Sequence, residues 1–288
     1  MSYIYDNLIH PDNEFLYRGQ KNSEWELEPT ITRYIRSNSK CFEFDYRNSK
    51  DLKKIVEKKL WDAYKTNLKR NLDVPDERVE KLDLWQFGQH HGLPTPLLDW
   101  TKSPYIGLFF AICDDSDEKD YASSERALWV LNQSMLRHIN SMIEREVWPS
   151  LVNLLSESLL YEQFPKMEVV QSLDGENRRL VFQQGVFTKH VYYTSFEDWL
   201  KRITSELTHD IWNERLLTKI IFPSDMTLRN ELMAALDKMN VNYRTLFPDR
   251  YGSAADAAEC VKQNLRQNRM RHFSGTTSDE KLSTRKMK

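Results

Sequence analysis

Three groups of side chains in this chain have the types and spacing to do chemistry. In Arg18-Gly19-Gln20, a guanidinium with five donors in a fixed fork stands beside a glycine, which permits a tight backbone and close ligand approach. Gln20 adds an amide that both donates and accepts. The fork suits a diphosphate or a carboxylate better than a lysine point charge does. A pairing of Arg18 with Asp99 or another carboxylate that merely holds two loops together is the competing role. In the second group, Gln89-His90-His91 precedes Gly92 and Pro94, and Thr95, Asp99, Thr101 and Ser103 follow within one turn-rich stretch. Either histidine can stack on a ligand, shuttle a proton or satisfy nearby backbone. The third group, Arg179, Gln183, Gln184 and Gly185, places another fork and two amides at an element boundary, where they can orient a ligand or bridge neighbouring strands.

Two chemistries lose weight at this point. Zinc needs three or four ligands with compatible directions, whereas adjacent histidines diverge and Cys41, Cys113 and Cys260 lack metal-type spacing, so no metal is expected. A hydrolytic dyad of Ser103 with a histidine is conceivable, but a serine directly before Pro104 is more readily a helix N-cap.

The elements that must hold these residues follow from local pattern. Phe15-Leu16-Tyr17 reads as a short strand delivering Arg18-Gly19-Gln20 at its end. Leu52, Ile55, Val56, Leu60, Ala63 and Tyr64 recur at helical spacing, and a second helix over about 79–89 is interrupted by Gly92. Ser103-Pro104 starts a buried helix over 105–112, and Ala127 to Leu131 fits an interior strand. Helices are expected at 135–147 and 151–161, and strands at 167–171, around Tyr192 and Tyr193, and at 216–222. Residues 179–184 fit either a strand end or a short helix. A helix over 196–207, a Thr227-capped helix over 228–239 and a helix over 254–265 complete the pattern.

The 288 residues carry 41 basic and 43 acidic side chains, a net charge of −2, so no global field draws the chain to nucleic acid or anionic lipid. The basic residues from Lys262 to Lys288 permit a phosphate-binding appendage but read as a solubilising or disordered end. The N-terminus lacks the pattern of a signal peptide and no stretch approaches the ~20 apolar residues of a membrane helix, so a cytoplasmic protein is expected.

The whole pattern resembles the FRG-domain family. Tyr17-Arg18-Gly19-Gln20 matches its signature, the segment from Gln89 to Thr101 its central motif, and Ser103-Pro104 through Phe109-Phe110-Ala111 the continuation. Arg179, Gln183, Gly185 and Phe187 resemble its later pattern, and Leu246-Phe247-Pro248-Asp249 with Gly252 its terminal signature. The resemblance implies an α+β fold, a single mixed α/β body around a distorted central sheet with an ADP-ribosyltransferase-like core. It would span residues 1–272, with a flexible tail at 273–288. It further implies NAD as substrate, ADP-ribosyl transfer to a protein or nucleic-acid acceptor, and a place in bacterial antiviral defence. By the same resemblance Arg18 holds the diphosphate or nicotinamide ribose, and Thr101 and Ser103 orient the nicotinamide side, with Tyr105 or Trp100 packed nearby. Gln20, His90 and Asp99 complete the nucleotide site. Where such transferases place a glutamate, this chain has Gln183 and Gln184; a neutral amide stabilises developing positive charge less than a carboxylate does. Glu176 and Glu206 are carboxylates that could be brought in from elsewhere. The alternatives are a non-catalytic module binding a nucleotide or phosphorylated partner, and a structural interaction domain.

Overall fold

A computed structural model describes residues 14–38, 50–70, 81–113, 125–147, 166–171, 178–189, 195–206, 216–262 and 264–265. The expected helix at 151–161, the strand at Tyr192 and Tyr193, and the tail at 273–288 lie outside the described residues. The chain divides into two compact units, Met1–Pro223 and Ser224–Lys288.

The first unit is a mixed α/β body. Its strands are β1 (Phe15–Gln20), β2 (Leu97–Thr101), β3 (Arg126–Asn132), β4 (Glu168–Gln171), β5 (Gly185–Lys189) and β6 (Leu217–Phe222). They form one six-stranded sheet in the order β4-β5-β2-β1-β3-β6, and every pairing is antiparallel. Helices α1 (Thr30–Ser37), α2 (Lys50–Arg70), α3 (Lys81–His90), α4 (Pro104–Ile112), α5 (Gln133–Met142), α6 (Arg178–Phe182) and α7 (Phe196–Glu206) surround it. A π-helical turn, Ile143–Val147, extends α5 and occupies the end of the helix expected at 135–147.

Alternation along the strands divides the core. Leu16, Leu98, Trp100, Trp129 and Leu131 pack with Leu136 and Ile139 of α5 and with Phe196 and Trp199 of α7. Tyr17, Leu128 and Val130 form a second cluster, and Trp85 of α3 joins Leu97, Leu180 and Phe187 in another.

Local chemistry sets the element ends. Ser103 caps α4, its hydroxyl accepting from the Ile106 amide at 3.4 Å with Pro104 in the first turn. α3 stops because Gly92 takes φ +86°, a left-handed conformation that favours glycine. The Leu93 amide then donates to Gly88 O at 2.9 Å and the Gly92 amide to Gln89 O at 3.1 Å, which satisfies the last carbonyls of the helix. The ambiguous segment 179–184 resolves as α6, ended by Gln184 at φ +48° before β5 begins.

The second unit contains α8 (Met226–Lys238), α9 (Tyr243–Leu246) and a helix over 250–262, α10. The cap of α8 is Asp225 rather than Thr227: its two carboxylate oxygens accept from the Thr227 amide at 3.1 Å and the Leu228 amide at 3.2 Å. Arg229 of α8 and Glu259 of α10 form a buried bidentate ion pair, with both N···O distances 3.1 Å. No described helix is long and apolar enough to cross a membrane.

Candidate functional site

Arg18 and Gly19 lie inside β1, not beyond its end. β1 pairs with β3 along its whole length, from Phe15 opposite Asn132 to Gln20 opposite Ala127. Against β2 it registers at a single position, Tyr17 opposite Thr101. Beyond that position a side chain replaces the backbone ladder: Arg18 Nη1 donates to the Asp99 carbonyl at 2.8 Å and lies 3.7 Å from Asp99 Oδ2. The expected Arg18–Asp99 pairing is therefore present, and it holds two strands.

Asp99 is itself fixed by a relay of hydrogen bonds reaching from α1. The Thr95 amide donates to Thr30 Oγ1 at 2.8 Å, and the Thr95 hydroxyl donates to Gln89 Oε1. Because Gln89 Oε1 is an acceptor there, its Nε2 faces Asp99 and donates to Oδ1 at 2.6 Å. The carboxylate and guanidinium are thus pre-set by residues on α1, α3 and the loop before β2.

This arrangement leaves polar capacity unused. Arg18 Nε and His90 Nε2 are buried without a hydrogen-bond partner. Burial pulls the Arg18 pKa below its usual value; Asp99 opposes the shift and Arg33 reinforces it. Burial likewise holds His90 below the ordinary imidazole value, with Asp99 raising it and Arg179 and His91 lowering it further. Arg18, Arg33 and Arg179 thus exert their fields around one carboxylate and one neutral imidazole. A buried guanidinium whose Nε–H is unused is suited to an anion.

The low pKa of His90 has a consequence for stability. With a folded-state pKa below that of the unfolded chain, the unfolded state takes the proton first on acidification. This contribution is complete above about pH 6.5 and is lost as pH falls through the folded-state pKa. Thermal melts between about pH 8 and about pH 5 are expected to show Tm falling towards acid, with a flatter slope in His90→Gln. Equal slopes in the two proteins would remove His90 as the source.

The other expected site residues are placed as follows. Thr101 is 3% exposed and donates its only proton to Gln183 O at 2.7 Å, joining β2 to the turn after α6. Its oxygen also accepts from the Ser103 amide at 3.2 Å, so Thr101, Ser103 and Gln183 form one connected group. Gln20 is 6% exposed; it accepts from Trp129 Nε1 at 2.7 Å and donates to Glu26 O at 3.2 Å, so both ends of its amide are used within the fold. Tyr105 is exposed on the first turn of α4, whereas Trp100 is a core residue donating to Thr188 Oγ1 at 2.9 Å. His91 is exposed and packs against Phe87, with ring centroids 4.8 Å apart and the rings tilted by 56°. Glu176 lies outside the described residues, as does the side chain of Glu206.

Gln89 and Thr95 stand in the second chemistry-capable group without a specific role, and Thr30 and Arg33 are not marked in the sequence at all. The first two sit inside the turn-rich motif, where their density was the available signal. Thr30 and Arg33 carry no local mark, since each matters only through α1 being brought against distant residues.

The family model of the FRG domain matches residues 13–120. No curated protein and no solved structure matches the chain. The matched stretch contains Arg18, the relay from Thr30 through Thr95 and Gln89, and Asp99, while Arg179 and Gln183 lie beyond it. Over residues 13–120, this chain carries an FRG domain.

Proposed function

We propose that the Arg18–Asp99–His90 cluster binds the phosphates of a nucleotide, that this nucleotide is NAD, and that the chain transfers ADP-ribose from it to a protein or nucleic-acid acceptor. The observation that carries the binding step is the buried, unpartnered Nε–H of Arg18, on a guanidinium pre-oriented by Asp99, with the unpartnered His90 Nε2 near the same carboxylate. A buried donor without a partner is costly, and a phosphate oxygen removes that cost on binding. The choice of NAD, an ADP-ribosyltransferase-like core, a cytoplasmic setting and a part in antiviral defence rest on the family resemblance alone.

In this reading Arg18 anchors the diphosphate, the fields of Arg33 and Arg179 attract it, and the connected group of Thr101, Ser103 and Gln183 shapes the adjoining wall. One observation favours the second reading, a binding module without turnover. Thr101 spends its single proton on Gln183 O, so that hydroxyl has no hydrogen left to give a substrate.

Labelled NAD distinguishes the two. The full-length protein is incubated with isotopically labelled NAD and cellular protein and nucleic-acid fractions, and nicotinamide release and ADP-ribose transfer are followed by mass spectrometry. Transfer by the wild type, lost in Arg18→Ala, is the expected result. Binding without product selects a module that holds NAD; no binding at about 1 mM NAD rejects the transferase reading and NAD as the ligand.

A further inference from the structure

One buried amide near this cluster has no role in the fold. Gln86 of α3 is 3% exposed, yet its Nε2 has no hydrogen-bond partner. A primary amide carries two N–H donors, and leaving them dry and unpaired costs stability that an apolar side chain of similar shape would not. A glutamine at such a position calls for a purpose outside the packing.

Helix geometry shows where that amide lies. At about 100° per residue, Gln89, Gln86 and His90 fall at roughly 40°, 100° and 140° around α3 from Trp85, so Gln86 sits between the other two. Gln89 is bonded to Asp99 and His90 feels the charges of Asp99 and Arg179, so this face of α3 is the one turned to the cluster. The opposite direction is occupied differently: Gly88, at about 300° on the same scale, lies against Leu93 and Tyr64 of α2. Gln86 and His90 therefore present two unpartnered groups, one helical turn apart, on the face that carries the site.

We propose that Gln86 is a ligand-binding residue, its amide donating to a phosphate oxygen of the nucleotide that Arg18 anchors, on the His90 side of Asp99. This rests on the phosphate-binding reading above. A diphosphate is long enough to take donors from both sides of one carboxylate, and a neutral amide adds a hydrogen bond there without adding to the repulsion among Arg18, Arg33 and Arg179.

The test uses Gln86→Met, which keeps the length and helix preference of the side chain and removes its polar atoms, with Gln86→Leu as a second variant. Thermal melting is measured together with calorimetric titration of NAD and inorganic pyrophosphate into the full-length protein. Because an unpaired buried amide is being removed, Tm is expected to stay level or rise, while affinity for both probes falls about tenfold. A fall in Tm in both variants would overturn the proposal by showing the amide bonded within the fold. Unchanged affinity would overturn it and leave the Arg18 reading intact. Weakened NAD binding with unchanged pyrophosphate binding would overturn the assignment to phosphate. If wild type binds neither probe, the phosphate-binding reading falls and this inference with it.

Discussion

Gly19→Ala is expected to lower the melting temperature by about 6 °C or more, the largest single effect on stability in the FRG segment. A Cβ at this position would stand 2.1 Å from the Gly107 carbonyl oxygen and 2.3 Å from the Ala111 nitrogen. Both atoms belong to the backbone of α4, so no side-chain rotation relieves the clash, and β1 and α4 must separate. Separation in turn loosens Tyr17, whose Cβ lies only 2.9 Å from a Cβ built on Gly107. At least ~3 kcal/mol is the scale for such a backbone displacement in a tightly packed layer, and a unit of this size loses about 2–4 °C per kcal/mol. Scanning calorimetry of the variant checks it; a Tm within about 1 °C of wild type would show that α4 does not rest on Gly19. The glycine next to Arg18 therefore serves the approach of a helix, where the sequence suggested the approach of a ligand.

The largest effect on function is expected at Arg18. Arg18→Lys keeps the positive charge but replaces a planar fork by a point donor on a flexible stem. One ammonium cannot both take over the bond to the Asp99 carbonyl and offer a donor at the Nε position. Phosphate-ligand affinity is expected to fall about 10- to 100-fold, with Arg18→Ala weaker still. The side chain is 18% exposed and β1 keeps its full ladder with β3, so the fold should survive the change. Titration of NAD or pyrophosphate into the folded variant measures the loss. Affinity equal to wild type in Arg18→Lys would show that the site reads charge alone, and equal affinity in Arg18→Ala would remove Arg18 from the site.

What the sequence determined by itself was largely what short-range forces decide. The cap at Ser103, the stop at Gly92 and the buried strand from Ala127 to Leu131 each follow from a few adjacent residues. A proline, a glycine or a continuous apolar run biases the local backbone whatever the rest of the chain does. The pairing of Arg18 with Asp99 was also legible as one of two roles for that arginine, because the residue types are complementary. Tertiary structure decided which residues share a site. Strand order sets β2 between β5 and β1, which joins Thr101 to Gln183 across 82 positions of sequence and Arg18 to Asp99 across 81. The relay likewise closes on Thr30, 65 positions from Thr95. Such meetings depend on which sheet edge pairs with which and on where α1 and α3 come to rest. Those outcomes are summed over many weak apolar contacts, and none is written in the neighbourhood of a single motif.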